Sequence, residues 1–174
     1  MSVTHSLGLA HDQVKISPYN ADWPVQFDLE KPAIIKCVQD FQYRDVQHIG
    51  STSIPGLCAK PIIDIAAAIP SFDHVETIKL NLAKLGYAHI PGRGTAFREF
   101  FAKGPEDCRT HYLHLTLCPS DEWNRLLRFR YRLHTSDSLR DEYAALKQQL
   151  AREFPTDRIA YNHAKAEFIE KCLL

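Results

Sequence analysis

Apolar and polar positions along this chain switch between two periods, and the switches mark its elements. Residues 61–69 read Pro61-Ile62-Ile63-Asp64-Ile65-Ala66-Ala67-Ala68-Ile69 and stop at Pro70. An unbroken apolar run of that length predicts a central strand buried on both faces. Shorter β-rich runs predict strands over residues 45–49 and 87–90, and a pair over 96–103 and 109–118 turning near Gly104-Pro105. A further short strand is expected over 14–16. Helical spacing governs both ends of the chain. Phe27, Ile34, Ile35, Val38 and Phe41 form one stripe of a helix beginning near Pro24 and capped by Asn20 or Asp22. Pro32 falls inside that stripe and is expected to kink or split the helix. Val75, Ile78, Leu82 and Leu85 mark a second helix, ended at Gly86. Trp123, Leu126, Leu127 and Tyr131 mark a third, over 122–134. Leu139, Tyr143, Leu146 and Leu150 mark a fourth, capped by Ser136 or Ser138 and stopped by Pro155. A last helix starts at Asp157 and runs through Ile159, Ala164 and Phe168.

Strands in the middle with helices at both ends predict an α+β domain, a mixed β-sheet flanked by helices with a C-terminal helical segment. Residues 1–13 are polar and aperiodic and are expected to be a loose tail, with one domain over 14–174. A length of 174 residues suits one domain with a sizeable core. Lys plus Arg and Asp plus Glu both number 21. This balance argues against nucleic acid as a partner, because nucleic-acid binders are normally basic. No run is long enough to span a membrane and no signal-peptide pattern is present, so the expected location is cytoplasmic, with no membrane partner. The five cysteines form no C-x-x-C pair, which points to reduced, mostly buried thiols.

The chemistry gathers around His48-Ile49-Gly50-Ser51-Thr52-Ser53 and the Lys60-Pro61-Ile62-Ile63-Asp64 segment that follows. Turn N–H groups and the hydroxyls of Ser51, Thr52 and Ser53 can cradle a phosphate. An ordinary polar turn has the same composition. The motif is not a P-loop, since no Gly-Lys-[Ser/Thr] follows. Asp64 is a lone carboxylate in a buried strand, costly unless something cationic offsets it. It suits a Mg²⁺ ion, with an ion pair to Arg98 or Arg130 as the plainer reading. Glu99 is a candidate second carboxylate, and Arg98 a phosphate ligand, since guanidinium binds phosphate bidentately. His111 and His114 lie three apart on one strand and face opposite sides. His114 is the site candidate and His111 the core one, and this separation weakens a metal hydrolase built on His48, His111 and His114. Arg125, Arg128, Arg130 and Arg132 on the third helix, with Lys147 beyond, form either a basic ligand face or a solvated surface.

These blocks, in this order and spacing, resemble the GrpB family. The resemblance rests on Tyr19-Asn20-Ala21-Asp22-Trp23-Pro24, on the stretch from His48 to Gly56, and on Lys60 to Ile65. It continues through His111 to His114, Phe129-Arg130, Tyr143-Ala144-Ala145-Leu146-Lys147, and Tyr161 with Lys165 and Phe168. It implies a nucleotidyltransferase-like (polymerase-β-like) fold, in which a Gly-Ser turn precedes a strand bearing two carboxylates, and a later strand adds another. In that superfamily the carboxylates hold two metal ions, here Mg (or Mn), and the metals bind a nucleoside triphosphate. Gly50 and Ser51 match the turn and Asp64 the first carboxylate, but Ala66 stands at the second. Where the family continues Asp-Tyr-Leu after Phe129-Arg130, this chain has Tyr131-Arg132-Leu133. Pro32 is also unusual for the family.

The resemblance therefore implies two functions. One is a metal-dependent nucleotidyltransferase using Asp64 and His114 at the reaction, Asp64 and Glu99 at the metal, and Gly50, Ser51, Thr52, Ser53, Lys60, Arg98 and Arg130 on the nucleotide. The other is a non-catalytic module that binds a nucleoside triphosphate or other phosphorylated small molecule, with room for a protein partner. Domains of this kind fused to dephospho-coenzyme A kinase resemble such an accessory.

Overall fold

A computed structural model describes residues 7–173. Five strands form one sheet in the order β1-β2-β5-β4-β3, with β1 Asp45–Ile49, β2 Ile63–Ile69, β3 Tyr87–His89, β4 Arg98–Lys103 and β5 His111–Leu117. Only β2 and β5 run parallel; the other neighbours are antiparallel. The fold is α+β with a mixed sheet flanked by helices, as the pattern predicts.

Strand alternation divides β2 into two faces. Ile63, Ile65, Ala67 and Ile69 join the main core, built with Trp23, Phe27 and Ile34 of α1 (Asp22–Val38) and Ile78 and Leu82 of α2 (Val75–Lys84). Asp64, Ala66 and Ala68 face the other way, toward the C-terminal helices α3 (Asp121–Thr135), α4 (Asp137–Glu153), α5 (Arg158–Ala164) and α6 (Ala166–Leu173). Ser120 caps α3 and Ser136 caps α4, each accepting a backbone N–H three residues on.

Four expectations are corrected. Pro32 does not split α1, which runs unbroken, with Pro32 on its exposed side where the lost amide hydrogen bond faces water. Residues 14–16 form no strand; Ser17 makes a single bridge to Ala59. Residues 1–6 of the expected tail lie outside the described residues, but the tail's last part is docked rather than loose. Gly8 N–H donates to the Pro61 carbonyl at 2.8 Å, Leu9 is buried and bridges Arg109, and Arg158 donates to the Gln13 carbonyl at 3.1 Å. The last helix is two helices, α5 and α6, which meet at Lys165.

Candidate functional site

The turn after β1 is built around Gly50. Its φ of +68° lies in the left-handed region, and a Cβ there would stand 2.7 Å from Asp64 Oδ2. Only glycine lets the Asp64 carboxylate lie against this backbone. Residues Ser51–Ser53 then form one 3₁₀ turn. Ser53 Oγ donates to the Gly50 carbonyl at 2.7 Å, and Thr52 Oγ1 bonds the buried His48 ring at 2.9 Å. Those two hydroxyls hold the turn together, so Ser51 alone offers a hydroxyl to the cavity beneath, next to Tyr143. Burial lowers the His48 pKa to about 4 against the opposing charge of Asp64, so this ring is neutral at physiological pH.

The cavity has a volume of about 210 Å³ and lies between the sheet and helices α4 and α5. Asp64 and His114 enter from the sheet, with His114 Nε2 3.8 Å from Asp64 Oδ1. The flanking Ile63 and Ile65 face the other side, in the main core, and the Asp64 side chain keeps 32% exposure. Lys60, Lys147 and Lys165 line the same space. Lys60 lies 5.3 Å and Lys165 4.3 Å from the centre of the Tyr161 ring, so both ammonium groups use that ring as a partial counter-charge. Lys147 donates to the Cys58 carbonyl and lies 4.7 Å from the Tyr143 ring centre. Arg93 reaches the mouth from the loop after β3, 4.1 Å over Phe100.

Among the described residues none of the three lysines pairs with a carboxylate within 4 Å. Burial is the largest cause that lowers each one's pKa. Lys147 falls to about 7 and Lys165 to about 8, and Lys60 lies well below its ordinary value. Mutual repulsion among Lys60, Lys147, Lys165 and Arg158 adds to this. Desolvated cations without partners are unfavourable, and an entering anion relieves that cost.

The other expected site residues lie elsewhere. Glu99 faces the α1/α2 side of β4, where it accepts from His89 at 2.6 Å and stands 3.9 Å from Lys79; it cannot share a metal with Asp64. Arg98 pairs with Glu122 at 2.9 Å, in a groove beside the cavity. Arg130 donates to Gln47 Oε1 and to the His48 carbonyl, both at 2.8 Å, and with Ser53 it borders a separate hollow behind the turn. His111 packs edge-on to Tyr87 in the core and the other face of β5 carries His114. The arginines of α3 form no common basic face: Arg125 is held by Glu170, and Arg128 by the Leu173 carbonyl. Sequence reasoning missed Arg93 as a site residue and placed Lys147 only beyond the arginines of α3, in a ligand face or a solvated surface. One signal pointed to Lys147, since it follows Tyr143 by four and precedes Leu150 by three, within the apolar stripe of α4.

The residues do not fit a two-metal centre. Asp64 is the one carboxylate of the cavity, Ala66 supplies no oxygen, and no group of three or more His, Cys, Asp or Glu side chains gathers among the described residues. No helix among them is long and apolar enough to cross a membrane.

The family model for GrpB protein matches residues 13–174. The chain belongs to the GrpB family. It is 33% identical over 171 residues to the glutamate-rich protein GrpB of Alkalihalophilus pseudofirmus, covering 96% of this chain and 98% of that one. It is 36% identical to protein YqkA of Bacillus subtilis over 158 residues, 91% of this chain but 46% of that longer protein. The crystal structure of GrpB from Enterococcus faecalis superposes with a TM-score of 0.83 at 32% identity, covering 91% of this chain and 94% of that one. The GrpB fold is thus the frame on which the cavity is built.

Proposed function

We propose that this GrpB-family chain binds a phosphorylated small molecule of the nucleotide class, with the phosphates in the cavity beneath the Gly50 turn. The observation that carries this reading is the set of Lys60, Lys147 and Lys165 around one cavity, without carboxylate partners among the described residues. A phosphate chain supplies the missing negative charge, and charge-assisted N–H···O bonds to it are among the stronger hydrogen bonds a site can make. The lysines take over the charge neutralisation that metals provide in the nucleotidyltransferase reading. This favours the binding module over the metal-dependent transferase. Nucleotidyl transfer stays as the second reading because Asp64 and His114 meet at the cavity wall, where an acceptor hydroxyl could be positioned. A calorimetric titration with sodium tripolyphosphate in EDTA tests the first reading. Lys60→Ala and Lys165→Ala are each expected to weaken binding roughly tenfold or more. Unchanged affinity in both variants would refute it.

A further inference from the structure

The cavity beneath the turn is small for what it is proposed to hold. Sites for drug-sized ligands enclose roughly 300–1,000 Å³, whereas this one measures about 210 Å³. It has room for phosphates and not for the organic part of a nucleotide. A second groove of about 590 Å³ adjoins it, however. The two spaces share Gly50, Asp64, His114 and Phe129 in their linings, so they meet at these residues.

The groove has a different character from the cavity. Its walls come from β4, α3 and α6, with Phe97, Leu126, Phe129, Ile169 and Leu173 giving an apolar lining. Phe97 is 52% exposed, an aromatic ring left in water at the groove's rim. Polar groups line another part of the groove. Arg98 pairs with Glu122 at 2.9 Å, and Thr95 Oγ1 donates to the same Glu122 at 2.5 Å. Asp121 adds a carboxylate.

We infer that this groove is the subsite for the organic body of the phosphate compound and takes a planar heteroaromatic ring. Phe97 and Phe129 offer ring faces or edges for stacking, which every base can use. The Arg98–Glu122–Thr95 network and Asp121 meet the polar edge of such a ring. A purely alkyl body would cover these polar groups without replacing their water, at a cost. Asp64 and His114 would then stand where the phosphates leave the organic body. The inference rests on the phosphate reading above.

The test compares tripolyphosphate with ATP, GTP, CTP and UTP by calorimetry in EDTA, with geranyl diphosphate against pyrophosphate as the alkyl control. At least one nucleotide should bind roughly tenfold or more tighter than tripolyphosphate, the scale of stacking one base on one aromatic side chain. Phe97→Ala should erase that gain while tripolyphosphate, which does not reach Phe97, keeps its affinity. Phe97→Trp should restore it. Phe97 is exposed, so both variants are expected to fold. If tripolyphosphate binds but no nucleotide gains, if Phe97→Ala leaves the gain intact, or if the geranyl chain gains more than any ring, the subsite is overturned and the phosphate cavity stands. If tripolyphosphate does not bind, the phosphate reading fails and takes the subsite with it.

Discussion

His114 Nε2 lies 3.8 Å from Asp64 Oδ1, across the parallel pairing of β2 and β5 that sets His114 beside Ala66. Position 66 of β2 carries an alanine, and the imidazole of His114 on β5 occupies the neighbouring position. The Asp64 side chain keeps 32% of its exposure, so the pair is solvated and weak. Asp64→Asn is therefore expected to change folding stability by less than about 1 kcal/mol, measured by urea unfolding. A loss of several kcal/mol would show that Asp64 is a structural ion-pair partner instead.

Gly50 should tolerate substitution far less well. A Cβ at Gly50 meets Asp64 Oδ2 at 2.7 Å, and the backbone φ is +68°. Gly50→Ala combines a left-handed backbone penalty of about 1–2 kcal/mol with displacement of the Asp64 carboxylate. Urea midpoints should fall accordingly, and the turn should lose its place over the cavity. A stability matching the parent chain would mean that the turn adapts.

Lys147 is expected to destabilise the empty fold. Its side chain is 2% exposed and its pKa falls to about 7, chiefly through burial. An unfolded chain holds its proton up to the ordinary lysine range, so between about pH 7 and 10.5 the unfolded state binds more protons than the folded one. The stability contributed at this site therefore rises with pH across that window. Lys147→Met should raise stability at neutral pH by roughly 1–4 kcal/mol, as when buried ions yield to apolar side chains of similar volume. It should also flatten the rise toward pH 10 and weaken tripolyphosphate binding. Lower stability in the variant would show that the Lys147 hydrogen bond to the Cys58 carbonyl outweighs the desolvation.

Anion binding should carry a proton signature. Lys147 and Lys165 titrate near pH 7 and 8 when the site is empty, and a bound polyanion favours their charged forms. Binding at pH 8 should thus take up protons, and affinity should fall between pH 7 and 9. Calorimetry in buffers of different ionisation enthalpy reads the uptake directly. No buffer dependence would place the lysines outside the binding event.

Much of the fold is legible in the sequence because it rests on local periods. The run from Ile63 to Ile69 has one register that puts its isoleucines in the core, and Ser136 sits one residue before its helix. The turn and Asp64 are equally legible, since they lie 14 residues apart on adjoining elements. The rest of the site is not. Arg93, Lys147 and Lys165 reach Asp64 only through packing of the 91–97 loop and α4 to α6 on the sheet, which no local pattern encodes. Lys165 enters because the last helix breaks there, where helical spacing alone predicts continuity. Glu99 and Arg98 illustrate the opposite case: adjacent residues of one strand, they end on opposite faces with partners of their own.

The central claim is that lysines, and not metal ions, supply the positive charge of the cavity. It is tested most directly by titrating tripolyphosphate into the parent chain and Asp64→Asn, in EDTA and in excess Mg²⁺. Binding should persist in EDTA, and Asp64→Asn should bind as tightly or more tightly, because it removes a negative charge facing the anion. Binding that requires Mg²⁺ and disappears in Asp64→Asn would contradict the account and return Asp64 to the role of a metal ligand.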